Sequence, residues 1–242
     1  MPRPARKSHA TNDRLSLADQ AYHVIRDRIL KGEIVLGAPL SRRKLAAEFK
    51  MSLLPVSEAL QALETDGLVE SRPRVGTRVC FPSEEEIRDR YEVREALESQ
   101  AARLYAERAT PAEMREVLKM AEHMDALFNQ CSGSPSHDRN FLYAVHNYHF
   151  DFHLRIADIA RCQTLREMIE KNHVLIFNWL FDVAASRPAL PARFHYELVE
   201  ALNRGKIEAA DVAMRQHVRH GLENVVSALG ERGKDVRFER VK

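Results

Sequence analysis

His149 and His153 lie four residues apart, and His146 precedes them by three. On a helix those spacings put side chains on one face, about one turn apart, where two imidazoles can share a cation. Nitrogen ligation favours zinc, nickel or copper over magnesium or calcium. The ordinary alternative is a polar patch in a helical core, each ring bonded to a neighbour. Asp151 does not extend the set, because two residues on is about 200° around the helix. His173 and His220 read as ordinary polar positions, and His123 and His137 as exposed ones.

Arg94 shares a helical face with Ile87, Tyr91, Leu97, Ala101 and Leu104. An arginine so placed can snorkel to the surface, pair with Glu98 one turn on, or point inward. A third group is basic: Arg42, Arg43 and Lys44 in one run, then Arg72, Arg74 and Arg78 around Pro73 and Gly76. Such residues suit phosphate contacts or insertion into a minor groove, and a merely solvated hairpin is the plain alternative.

The elements that must position these residues can be read from periodicity. Apolar residues recur every three or four from Ala18 to Leu30, and Gly32 stands where that helix should stop. Ser41 caps a second helix through Leu45, Ala46 and Phe49; Ser52 is the cap candidate for a third, carrying Val56, Ala59, Leu60 and Leu63 to Gly67. Two helices joined by so short a turn suggest a helix-turn-helix. The alternation at 68–71, the turn at 73–76 and the return at 77–79 predict a basic hairpin placed as a wing. Pro82 and Ser83 mark a boundary, with Ser83 capping a helix that opens on three glutamates. The rest reads as six helices, the later ones at about 139–160, 163–183, 191–204 and 207–230, with a loop at 131–138. The fold class is therefore mainly α: an N-terminal winged helix-turn-helix plus a C-terminal all-α bundle. The expected divisions are a flexible basic arm at 1–15, a winged helix-turn-helix of DNA-binding type at 16–81, an all-helical domain at 83–232, and a polar tail at 233–242.

Composition is consistent with this. A chain of 242 residues accommodates two domains, and a charged content of 30% is ordinary for a helical protein in water. The net charge of +2 hides a basic first third and a mildly acidic remainder, an arrangement that suits a polyanion binder joined to another module. Three separated cysteines without a CxxC argue against a disulfide framework or a cysteine zinc finger. No apolar run reaches the roughly 18 residues of a membrane span, and none of signal-peptide type follows the basic N-terminus. A cytoplasmic protein without membrane association is expected.

Residues 17–80 resemble the winged helix-turn-helix domain of the GntR family of bacterial regulators. The likeness rests on Arg28-Ile29-Leu30, Gly32, Ile34, Gly37, Leu40, Leu45-Ala46, Ser52, Pro55-Val56, Glu58-Ala59-Leu60, Leu63-Glu64, Gly67-Leu68-Val69, Pro73, Arg74, Gly76 and Val79. Val93-Arg94, Leu97-Glu98 and Ala101-Ala102, then Phe152-His153 and His195 with Leu198, Ala201 and Leu202, resemble the FCD effector domain of the FadR-type subfamily. Six helices rather than seven place it nearer the VanR-like branch. The resemblance implies a metal held by His153 with His195 and His217; His149 stands where the family usually has aspartate. The implied site is His149, His153, His195 and His217 on one divalent transition metal, zinc or nickel foremost. With neutral imidazoles the cation's charge would suit an anionic ligand. Arg94 would contact a carboxylate effector, and Tyr91, Asn172, Asn178 and Trp179 could line the pocket.

The resemblance also exposes departures. Where the family carries arginines after the recognition-helix serine and after Pro-Val, this chain has Leu53 and Ser57, neither able to make a bidentate guanine contact. Leu53 offers only apolar contact, for instance to a thymine methyl. The expectation is that Ser52, Leu53, Ser57 and Arg43 read a divergent operator while Arg42, Lys44, Arg72 and Arg74 complete the interface. The chain then reads as a homodimeric, ligand-responsive regulator on an inverted repeat of double-stranded DNA, a repressor relieved by a small carboxylate. Its rivals are a repressor for which the cation is the signal, and a metalloenzyme, against which stands the lack of an HExxH motif.

Overall fold

The computed structural model describes residues 15–132, 138–183 and 190–235. Residues 1–14 of the expected arm, the tail from 236 and most of the loop at 131–138 lie outside the described residues, as do the side chains of Asn178 and Trp179.

The chain opens with α1 (Leu17–Leu30), β1 (Pro39–Leu40), α2 (Arg42–Phe49), α3 (Leu53–Thr65), β2 (Val69–Arg72) and β3 (Gly76–Val79). Ser16 starts α1 through a capping box: its hydroxyl accepts from the Asp19 N–H, and the Asp19 carboxylate accepts from the Ser16 N–H. Ser41 caps α2 from its side chain, whereas Ser52 occupies the cap position of α3 without a side-chain hydrogen bond, unlike the expectation. The three strands order β1-β3-β2, all antiparallel, with Val69 opposite Val79 and Arg72 opposite Gly76. A two-residue β1 shows no alternation, so nothing in its sequence announces it. Ile25, Ile29, Leu45, Val56, Leu60 and Leu63 form the core of this domain.

Among the described residues six helices follow: α4 (Glu84–Arg108), α5 (Pro111–Ser132), α6 (Arg139–Ile159), α7 (Gln163–Val183), α8 (Phe194–Asn203) and α9 (Ile207–Asp235). Ser83 and Glu86 form the expected capping box on α4. The last helix runs to Asp235, past the expected end, so the first residues assigned to a tail are helical. Along α4 lies α9, and α6 and α7 also pack on α4, while α5 packs on α6 and α8. Tyr91, Tyr105, Phe152, Ile156, Leu198, Leu202, Met214 and Val218 fill the centre. The two domains touch: Arg139 donates to the Gly32 carbonyl at 2.7 Å, and Leu36 packs against the bundle core.

Candidate metal centre and nucleic-acid interface

Every helix of the bundle sends a polar side chain to one point in its core. From α6 come His149 and His153, one turn apart, and from α8 and α9 come His195 and His217. His153, His195 and His217 are buried and His149 is partly so. The Nε2 of His153 lies 3.0 Å from that of His149 and 3.2 Å from that of His217. Nitrogens bound about 2.0–2.1 Å from one zinc ion are separated by about this much. His195 sits slightly outside this closest set; its ring centre is 4.9 Å from that of His149 and 5.2 Å from that of His217. Phe128 and Phe194 wall the rings off, Phe194 stacking on His217 at 4.7 Å.

Carboxylates stand behind the imidazoles. Asp125 on α5 accepts from Nδ1 of His195 at 2.7 Å. On α4, Glu98 brings Oε2 to 2.8 Å from Nδ1 of His153. The Asp125 hydrogen bond puts the His195 ring proton on Nδ1 and leaves its Nε2 as a lone pair facing inward, the arrangement that orients metal-binding histidines; the Glu98 approach to His153 is close but off hydrogen-bond geometry. For His195 that Nε2 is buried without a hydrogen-bond partner. An orphaned lone pair in a dry core is costly, and a cation is the partner that this donor set fits.

Glu98 is the hub of the arrangement. Its Oε1 accepts from Arg94 Nε at 2.7 Å and from His173 Nε2 at 2.7 Å. Burial opposes the charge on Glu98, but Arg94, His153 and His173 outweigh it and hold the carboxyl well below its usual range. Burial likewise pushes His173 down to about 4, with Arg94 adding to the shift. Neighbouring imidazoles reinforce burial in lowering His149 and His217. So His173, expected as an ordinary polar position, is a buried partner of Glu98, and Glu98, His153 and His173 form a second group with metal-ligand types. Arg94 both pairs with Glu98 and points inward, its Nη2 3.5 Å from His153 Nε2. The cavity beside it measures about 30 Å³ and is lined by Tyr91, Arg94, His149, His195, His217 and Asn224. Asn172 instead reaches the Arg90 carbonyl. His123 is exposed, as its pattern indicates, and Asp151 faces away from the cluster into solvent.

The basic residues gather at the opposite end of the chain. Arg42, Arg43 and Lys44 are exposed at the start of α2, and with Arg72 and Arg74 the two arginines line a cleft of about 700 Å³ between α2 and the wing. Pro73 and Arg74 occupy the centre of the wing turn, closed by the Val75 N–H on the Arg72 carbonyl at 3.1 Å. Arg72 and Arg78 both pair with Glu70, so part of the wing's charge is internally neutralised. Ser52, Leu53 and Ser57 share the exposed side of α3 with Leu54, a residue the motif comparison passes over.

Asp125 was also absent from the sequence-based set. Its signal is an ionisable residue one turn after Ala121 and next to Met124, both fully buried on the apolar stripe of α5.

Residues 17–79 match the family described as bacterial regulatory proteins, gntR family, and residues 89–220 match the FCD domain. The HTH-type transcriptional repressor RspR of Escherichia coli (strain K12) is 27% identical over 208 residues, covering 85% of this chain and 87% of the relative. A probable D-xylose utilization operon transcriptional repressor of Paenarthrobacter nicotinovorans is 30% identical over 214 residues, covering 86% of this chain and 90% of its own. Among solved structures, E. coli McbR/YncC shares the fold with a TM-score of 0.68 at 22% identity, covering 88% of this chain and 99% of that one.

Proposed function

The chain belongs to the GntR family of bacterial transcription regulators and carries an FCD domain, and from that premise we propose a homodimeric repressor, cytoplasmic, that holds a divalent transition metal and is released from DNA by a small carboxylate. Family and relatives are transcription regulators, not enzymes. Two of those relatives carry the word repressor in their names, which supports that direction of control here.

The single observation that carries the metal reading is the inward-facing set of imidazole nitrogens, with the orphaned Nε2 of His195 among them. His149, His153, His195 and His217 are the assigned ligands, and zinc or nickel suits an all-nitrogen set. Charge sharpens the assignment. Glu98 and Asp125 place two buried negative charges behind the histidines and Arg94 one positive charge, leaving a net deficit of one. A bound divalent cation would reverse that balance to a surplus of one and offer a position for a carboxylate oxygen. Arg94, held by Glu98, stands ready to pair with such an oxygen.

A cavity of about 30 Å³ admits a water molecule or two and no organic acid. Effector binding in this reading therefore requires the walls, Phe194 and His220 on α8 and α9 among them, to move apart. A ligand that binds only the opened form shifts the population toward it. Two copies would place their α3 helices in successive major grooves of an inverted repeat with centres about one helical turn apart. The opening of the bundle would change that spacing.

The same small cavity supports a second reading, in which the cation alone is the signal. One experiment separates them: thermal unfolding of the protein with each of several metals crossed with a panel of organic acids, followed by operator binding under the active conditions. A metal at a hundredfold excess over its Kd raises stability by about 2.7 kcal/mol, and His153→Ala should abolish the shift. Release of operator by an acid only in metal-loaded protein supports the effector reading. Release by free metal alone supports the second. A protein whose melting no metal alters has no such centre.

A further inference from the structure

The start of α3 presents two leucines to solvent. Leu53 is 50% exposed and Leu54 66% exposed, in a domain whose other leucines sit in the core or, as Leu15 and Leu17, at the start of α1. Neither fills a gap in the fold. One turn further along the same face, Ser57 donates its hydroxyl proton to the Leu53 carbonyl at 2.8 Å, so that proton is not offered outward. Over residues 53–57 the helix therefore offers no side-chain donor outward, and Ser52 before it and Gln61 one turn beyond are the nearest exposed ones.

The same domain carries a cationic cleft: Arg42 and Arg43 of α2 face Arg72 and Arg74 of the wing across it, and Lys44, next in sequence, is exposed. A cationic frame matches the two phosphate chains that border a groove. On the second helix of a helix-turn-helix an exposed apolar pair needs an apolar counterpart, and the major-groove edge of DNA offers one such group, the C5 methyl of thymine.

Resting on the DNA-binding reading above, we propose that Leu53 and Leu54 read thymine methyl groups, so that each operator half-site carries thymine, and not guanine, where α3 enters the major groove. Specificity at those positions comes from methyl burial instead of bidentate hydrogen bonding. The cations supply the sequence-independent affinity.

The test removes the methyl and nothing else. Operators are selected from random duplexes with the full chain at fixed salt, and each thymine of the selected site is then replaced by uracil, which keeps every hydrogen-bonding group. Burial of one methyl is worth about a fourfold change in Kd, equivalent to ~0.8 kcal/mol, and about fifteenfold when both half-sites change. That loss should appear at one or two positions per half-site. In Leu53→Ala/Leu54→Ala the difference between thymine and uracil should shrink to within about twofold, with an unaltered salt dependence. Alanine at exposed helical positions favours the fold, and an unchanged melting temperature checks it. Uracil tolerated at every position, discrimination surviving in the double variant, or guanine selected at the contacted positions would each overturn the proposal while leaving DNA binding intact. Failure to select any sequence over bulk DNA would overturn the DNA-binding reading itself, and this proposal with it.

Discussion

Asp125 holds His195 by two hydrogen bonds and the next residue by a third: Oδ1 accepts from the His195 ring Nδ1 at 2.7 Å and from the His195 N–H at 3.0 Å, while Oδ2 accepts from the Tyr196 N–H at 3.0 Å. The two amides belong to the first turn of α8, whose own cap residue, Arg193, provides no side-chain bond. One carboxylate from α5 thus caps a helix 70 residues further along the chain and fixes the tautomer of a candidate ligand in the same contact.

Asp125→Asn separates those roles. The amide can still accept at one oxygen but loses the charge and turns a donor toward an N–H. Loss of a charge-assisted buried bond should lower stability by about 1–3 kcal/mol, read from urea unfolding of the metal-free protein. Zinc or nickel affinity, measured by competition with a chromophoric chelator, should fall by about 10–100-fold. Equal metal affinity in variant and parent would reduce Asp125 to a helix cap.

Arg94 and Glu98 are a buried pair, each about 3% exposed at the side chain. Glu98→Ala leaves the guanidinium without its partner and should destabilise by about 3–5 kcal/mol. Arg94→Met/Glu98→Met removes both charges and should recover a substantial part of that loss, because no charge is then stranded. Denaturation of Arg94→Met, Glu98→Met and the double variant gives the coupling directly. Additive losses would mean that the pair does not act as a unit.

Much of this arrangement was legible in the chain before any fold was known, and the reasons are local. Helical periodicity marks α1, α3 and the bundle helices because their apolar faces recur every three or four residues, and the Ser83–Glu86 box marks the start of α4 within one turn. His149 and His153 could be paired because both lie on one helix. Asp125 could not be joined to His195, nor His173 to Glu98, because those contacts depend on how α5, α7 and α8 pack, which no spacing encodes. The carboxylates that would offset the charge of a cation bound there, Glu98 and Asp125, lie one layer behind the rings and are brought there by the same packing.

The start of α5 carries a pH-sensitive contact away from the metal centre. Glu113 accepts from the Thr110 N–H and hydroxyl, both at 2.8 Å, and from Arg161. The Thr110 backbone bond, followed by its hydroxyl and by Arg161, lowers the carboxyl to about 2. In the unfolded chain a glutamate titrates near about 4.3. A depressed folded value means that the stabilisation is complete above that pH and is lost as pH falls toward about 2. Melting temperatures of chelated protein across that interval should therefore drop less steeply for Glu113→Gln than for the parent. Parallel curves would show that the contact contributes no linkage.

Arg74 sits at the tip of the wing with φ +66°, in the left-handed region, at the position of the turn where glycine is the usual residue. A non-glycine residue there carries a steric cost of about 1–2 kcal/mol, which stability alone does not justify, and no ion pair within the described residues holds the side chain. Arg74→Gly should therefore leave the protein about as stable or up to ~1 kcal/mol more stable, after allowing for the larger entropy of glycine in the unfolded state. DNA binding should move the opposite way. If Arg74 meets a phosphate, its loss reduces the slope of log affinity against log salt by about 0.9 per subunit, and weakens all sequences alike. Arg74→Lys should keep most of that slope, since charge rather than the guanidinium fork is what a phosphate contact at an exposed tip requires. Stability that rises together with undiminished affinity and slope would place the wing tip outside the interface and transfer its role to Arg42 and Arg43.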